Sequence, residues 1–231
     1  MLQGNQMDLQ SRYEQVKERI ARAAERSGRA PEAITLIAVT KTVTTPVVRE
    51  AFEAGLRNIG ENRVQEILRK HSELADLPIR WHFIGHLQTN KVRQVLPVAS
   101  MIHSVDSPRL ASRIHNLAAD HGSVDVLLQV NTSSEETKFG VAPSDLPELI
   151  AATRGLDRLR IRGLMTLGPL TEDEDAIRGS FRMLRESLSL LRRTVPDAAV
   201  LSMGMTSDYE IAIEEGATHV RIGTALFGAR A

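Results

Sequence analysis

Cysteine is absent from all 231 residues, which excludes disulfides, thiolate metal sites and cysteine nucleophiles together. Aromatic residues are nearly absent as well, at 3%, so any core has to be built from aliphatic side chains. Net charge is missing: 29 Lys+Arg balance 29 Asp+Glu, and no broad field exists for nucleic acid or an anionic membrane surface. No apolar run approaches the ~18 residues of a membrane span. The polar start Met1-Leu2-Gln3-Gly4-Asn5-Gln6 is unlike a signal peptide. P-loop and GxGxxG patterns are lacking too. The expectation is a soluble, cytoplasmic protein with an aliphatic core.

What is present is a regular alternation. Leu9, Tyr13, Val16, Ile20 and Ala24 recur at three- and four-residue spacing, which predicts an amphipathic helix over 7–28 with Gly28 as its stop. Apolar runs then predict strands at 34–40, 56–60, 80–85, 98–104, 124–130, 159–165, 198–203 and 218–222, with helical patterns between them. Thr45-Pro46 and Ser107-Pro108 read as a cap followed by proline in the first turn. Gly55, Gly122 and Gly216 stand where helices should end. Strand starts fall about 26 residues apart, close to the ~30-residue βαβ unit. Eight such units predict an α/β fold, a closed (β/α)8 TIM-type barrel preceded by a helix, as one domain over 1–231. A doubly wound open sheet is the rival and would need fewer strands or a clear switch point.

Barrels place their chemistry just beyond the carboxyl ends of their strands. Lys41 follows the first strand, where a desolvated amine can form an imine. Gly60-Glu61-Asn62 and Trp81-His82-Phe83-Ile84-Gly85-His86 follow the second and third. Ser202-Met203-Gly204-Met205-Thr206-Ser207-Asp208 and Arg221-Ile222-Gly223-Thr224 follow the seventh and eighth, the usual phosphate-holding positions of barrels. Their glycines allow close backbone approach and their hydroxyls can donate to phosphate. Capping alone would explain either loop singly, but not both beside an amine. An imine-forming amine and a phosphate cradle match the two poles of pyridoxal 5′-phosphate (PLP).

The segments Ile37 to Thr42, Gly60 to Glu66, Trp81 to Lys91, Leu201 to Asp208 and Val220 to Gly228 resemble those of the PLP homeostasis protein family, in register over roughly 10–231. That family is similar to the barrel domain of alanine racemase, so the resemblance implies fold type III PLP binding. It implies that Lys41 holds PLP as an internal aldimine and that Asn62 lies beside the ring. Arg221 would face the pyridine nitrogen, Thr206, Gly223 and Thr224 would hold the phosphate, and Ser202 and Met203 would line the pocket. The family usually has serine at the Thr206 position and tyrosine at the Arg63 position. Threonine keeps the hydroxyl; Arg63 leaves no phenol. The resemblance also implies a carrier or buffer that passes PLP transiently to apo-enzymes, and no apolar seam demands a second copy, so a monomer is expected.

Arginine can only donate to the ring nitrogen, which leaves that nitrogen unprotonated and weakens carbanion chemistry. The chain runs out at Arg230-Ala231 after the eighth unit, with no further domain expected to bring a second base. A non-catalytic role is therefore expected; a low-activity amino-acid racemase, or another PLP-dependent enzyme, is the alternative. Third comes a PLP-free barrel enzyme acting on a phosphorylated metabolite.

Other constellations have ordinary explanations. His82 and His86 are spaced like a metal pair, but on a strand that ends in Gly85, so no metal site is expected. Thr171 to Asp175 reads as a helix cap with acids in the first turn. Arg154, Arg158, Arg160 and Arg162 read as a solvated face. Phe181, Leu184, Leu188 and Leu191 form a core stripe.

Overall fold

The computed structural model describes residues 8–133, 135 and 138–228. Eight parallel strands close into a barrel in chain order: β1 (Thr35–Val39), β2 (Asn58–Glu61), β3 (Arg80–Phe83), β4 (Met101–Val105), β5 (Val124–Gln129), β6 (Leu159–Met165), β7 (Val200–Ser202) and β8 (His219–Ile222). Pairing of Ala38 in β1 with both Ile59 of β2 and Ile222 of β8 seals the ring. The helices are α1 (Leu9–Arg26), α2 (Thr45–Glu53), α3 (Val64–Glu73), α4 (Val92–Val95), α5 (Pro108–Leu117), α6 (Leu146–Ala152), α7 (Glu174–Arg192), α8 (Tyr209–Glu214) and α9 (Thr224–Phe227). The expected (β/α)8 barrel is the fold observed.

Where strand limits differ from expectation, hydrogen bonds supply the reason. Leu56 N donates back to Ala51 O at 3.0 Å, so that residue closes α2 and β2 begins only at Asn58. Val98 and Ala99 likewise donate to Val95 O at 3.0 and 2.9 Å, which delays β4 to Met101. Ser107 caps α5 as expected, accepting from Leu110 N at 3.3 Å. The Thr45-Pro46 reading shifts by one residue. Thr44 is the cap position, and the Thr45 hydroxyl donates to Glu73 on α3 instead.

Asp8 caps α1, its carboxylate accepting from Ser11 N at 2.8 Å; the start expected at Met7 lies outside the described residues. Leu9, Val16, Ile20 and Ala24 are buried, contributing ~1.5–3 kcal/mol for each large aliphatic side chain. Arg12 Nε also donates to Leu226 O on α9 at 2.6 Å, and Arg29 Nη1 to Ala217 O at 2.7 Å. Thus α1 braces the last two units of the barrel. The stripe Phe181, Leu184, Leu188 and Leu191 is buried on α7, as its spacing predicts. No helix among the described residues is long and apolar enough to cross a membrane.

Candidate functional site at the barrel mouth

β1 ends at Val39, and Thr40 is still fully buried when the chain emerges. Val43 N donates to Thr40 O at 2.9 Å, closing a four-residue turn with Lys41 and Thr42 at its centre. Thr42 has φ +67°, a left-handed conformation that a β-branched residue rarely adopts and that costs ~1–3 kcal/mol. Lys41 is exposed and lines a cleft of about 730 Å³ together with Asn62, Arg63 and the outward face of α3. Gly85 packs directly against the backbone of Asn62: a Cβ there would collide with it, so only glycine permits this approach.

Beneath the turn lies a buried charge pair. Lys70 Nζ donates to Glu61 Oε1 and to Thr40 O, both at 2.6 Å, and Thr40 Oγ1 donates to the same Glu61 oxygen at 2.6 Å. Both charged side chains are 0% exposed, and Glu61 Oε2 has no hydrogen-bond partner.

Apart from the cleft, a chain of hydrogen bonds runs through the barrel interior. Arg221 donates through Nη1 to Ser202 Oγ and through Nη2 to Thr166 O, both at 2.7 Å. Ser202 Oγ lies 3.0 Å from His103 Nδ1, His103 Nε2 lies 3.0 Å from His82 Nδ1, and His82 Nε2 lies 3.2 Å from Asn58 Oδ1. The guanidinium can only donate and the Asn58 oxygen can only accept, so with each imidazole neutral, one nitrogen donating and the other accepting, every link runs one way, from Arg221 to Asn58. Both imidazoles are held neutral by the interior. Burial pushes His82 down to about 3 and His103 well below its usual value. His219 is held down to about 4 by burial and by Arg221. Burial lowers Arg221 itself to about 10, partly opposed by Asp208, so it remains a cation near neutrality. Burial also raises the Asp208 carboxyl, against the Met205 amide that donates to it at 2.5 Å.

The eight sequence-predicted positions fall into three settings. Lys41 and Asn62 share the cleft. Ser202 and Arg221 are buried and bonded to each other, and Met203 is fully buried in the aliphatic core. Thr206 is half-buried in the turn before α8, while Gly223 and the exposed Thr224 open α9. The two sides meet where Gly223 abuts β1: a Cβ there would sit 3.1 Å from Val39 O. This close approach sets the Gly223-Thr224 corner beside the segment that carries Lys41.

Sequence reasoning missed Asn58, His82, His103, Thr166, Glu61 and Lys70 as members of these networks. A signal existed for two of them. His103 interrupts the buried strand β4, and Lys70 falls on the buried stripe Val64, Ile67, Lys70 of α3. His82 and His86 lie in different settings: His82 is buried in the hydrogen-bond chain. His86 is exposed, stacked on Phe139 with ring centroids 4.0 Å apart, and no group of three potential ligands gathers among the described residues. Arg154, Arg160 and Arg162 are exposed, and Arg160 pairs with Asp125 at 2.7 Å.

A closed barrel of eight parallel strands ringed by helices is the architecture shared with the alanine racemases. The chain matches the family described as alanine racemase, N-terminal domain, over residues 12–231, and it belongs to the pyridoxal phosphate homeostasis proteins within that family. It is 47% identical over 226 residues to the pyridoxal phosphate homeostasis protein of Aquifex aeolicus, covering 97% of this chain and 99% of that one. It is 49% identical to the protein of that name from Pseudomonas aeruginosa over 216 residues, 93% of each. Among solved structures, PipY of Synechococcus elongatus with PLP bound superposes with a TM-score of 0.77 at 39% identity, over 92% of this chain and all of that one. Alanine racemase from Corynebacterium glutamicum shares the fold at TM-score 0.73 and 14% identity, with 94% of this chain covering 62% of that enzyme.

Proposed function

We propose that this protein is a single PLP-binding unit that holds the cofactor as a Schiff base on Lys41 and serves as a non-catalytic carrier or buffer. The observation that carries the reading is the contact of Gly223 with Val39 O, which brings hydroxyl-bearing Thr224 next to the turn holding Lys41. The residues fit the group. Thr206, Gly223 and Thr224 offer donors for a phosphate, Arg221 offers a buried donor for an unprotonated ring nitrogen, and Asn62 stands on the open side by Lys41. The names of the relatives and the PLP in PipY support the same reading. PLP supplies a reactive aldehyde, which condenses with an amine with loss of water.

Two observations support a non-catalytic role. Arg221 stays cationic and cannot hand a proton to a ring nitrogen. Neither tyrosine of the chain is at the mouth: Tyr209 is buried in the core and Tyr13 lines a cavity beside α1 at the other end of the barrel. The reading includes transient delivery of PLP to apo-enzymes by a cytoplasmic monomer.

Borohydride reduction of the PLP-loaded protein, followed by peptide mapping, is expected to place the adduct on Lys41. An adduct on Lys91 or Lys138 instead would remove the assignment. Incubation with L-amino acids in deuterated water is expected to give no exchange at the α-carbon on an enzymatic timescale; turnover near ~10 s⁻¹ would favour a racemase.

A further inference from the structure

We propose that Lys70 is the positioning residue for Lys41, gripping the turn on which the reactive amine is carried; this rests on the assignment of Lys41 above. Val64, Ile67 and Lys70 form the buried face of α3, where packing calls for an aliphatic side chain. An ammonium group stands there instead, and it reaches the carbonyl of Thr40, the last one before Lys41, at 2.6 Å.

That carbonyl is also the acceptor that closes the turn, from Val43 N at 2.9 Å. Thr40 is further held by its own amide, which donates to Gly60 O at 3.1 Å, and by its hydroxyl on Glu61. Backbone and side chain of residue 40 are therefore fixed from three directions. Lys41 is the next residue, at the second position of the turn. Thr42 occupies the third at φ +67°, a position that turns of this kind give to glycine. A threonine stays in that conformation only if the surroundings over-determine it. The grip of Lys70 on the turn-closing carbonyl supplies that constraint.

Stability alone does not account for the arrangement. A buried ion pair is commonly matched or exceeded by an apolar pair of the same volume, and here one oxygen of Glu61 is buried without a hydrogen-bond partner. Lys70 is thus used for geometry, presenting the amine of Lys41 at a set height above the mouth. Its ammonium is itself 0% exposed and committed to two oxygens, so it does not serve as a second attachment point.

The test compares the wild type with the apolar double variant Lys70→Met/Glu61→Leu, and with that variant carrying Thr42→Gly. Three quantities are read: melting temperature, PLP dissociation constant, and the pH at which the imine absorbance band titrates. The double variant is expected to melt near the wild type, to bind PLP at least tenfold more weakly and to shift the titration of the band. Glycine adopts positive φ unaided, so Thr42→Gly is expected to recover most of the lost affinity; a merely structural charge pair would not be rescued this way. A double variant with wild-type affinity and an unshifted band overturns the proposal. Should the double variant not fold, amide exchange of Val43 in the PLP-free wild type decides: protection is expected, and exchange at the rate of an open loop overturns the proposal. Peptide mapping of the reduced wild type separates the two levels. An adduct away from Lys41 overturns the attachment site and this inference together, whereas an adduct on Lys41 with wild-type affinity in the double variant overturns the inference alone.

Discussion

On the β1–β2 side of the mouth the buried cation is Lys70, with a carboxylate 2.6 Å away; on the β7–β8 side it is Arg221, whose two short bonds of 2.7 Å end on neutral oxygens. The first charge is neutralised on the spot and its donors are turned to the backbone. The second is opposed only through space, by Asp208, and burial depresses its proton affinity. A buried charge without an adjacent counter-ion is costly to retain, and its field reaches whatever lies against it. The pair teaches how one barrel rim divides labour between two buried cations: Lys70 is spent on the backbone before Lys41, and Arg221 on the polar interior of β6 and β7, the side where the proposed function puts the ligand. The neutral imidazoles behind Arg221 belong to that division, because a protonated His103 would donate to Ser202 instead of accepting from it, and the reversed hydroxyl would no longer point away from the guanidinium.

The largest way to break the comparison is acid. His82 and His219 must stay neutral in the fold at pH values where free imidazoles, with a usual pKa of 6.5, take up protons. Their folded values are depressed, so the unfolded chain binds more protons and stability is lost as pH falls from about 6.5 toward 4. Each costs about 2 kcal/mol by pH 5 (~1.4 kcal/mol per pH unit), and His103 adds in the same direction. Urea unfolding of the PLP-free protein between pH 7 and pH 5 measures this; a flat profile would mean that the interior imidazoles are not held neutral.

Next in size, Lys70→Met strands the Glu61 carboxylate and is expected to cost ~3–5 kcal/mol in urea unfolding. Arg221→Met removes a charge that has no adjacent partner, and should cost only the ~1–3 kcal/mol of the acceptors it leaves unpaired. Equal losses would erase the contrast between the two cations. Smallest is Thr206→Ala, expected to weaken PLP about tenfold by removing one bond to a charged group, worth ~1.5–3 kcal/mol. Pyridoxal, which lacks the phosphate, should bind the variant and the wild type alike; a matched loss for both ligands would mean that Thr206 does not contact phosphate.

The barrel was legible because each βαβ unit writes its own signal. β6 falls on the expected limits, 159–165, since Leu159 and Ile161 alternate with the exposed Arg160 and Arg162 before the buried Leu164-Met165, a local pattern that needs no distant partner to be recognised. β4 was placed three residues early because Val98 looks like strand on any local scale, and only its bond to Val95 O shows that it finishes a helical turn. At the site, Lys41 and the Gly223-Thr224 corner were readable as chemistry at strand ends. The chain from Asn58 through His82, His103 and Ser202 to Arg221 was not, because it joins β2, β3, β4, β7 and β8. Its links depend on the register of five strands, which no window of sequence contains. Lys70 escaped for a related reason: its partner at Thr40 is thirty residues away.

The brace between α1 and α9 has a consequence in time. Arg12 meets the Leu226 carbonyl across 214 residues of chain, and the Gly223-Thr224 corner lies on the same short helix α9. Contacts of such separation form late, after the loop between them has closed. A ribosome-bound chain that has emerged only through β7 therefore has the Lys41 turn but not the corner that faces it. On the proposed assignment, a phosphorylated ligand is retained only once β8 and α9 have joined β1, and a chain stopped short of them offers the amine without the phosphate cradle.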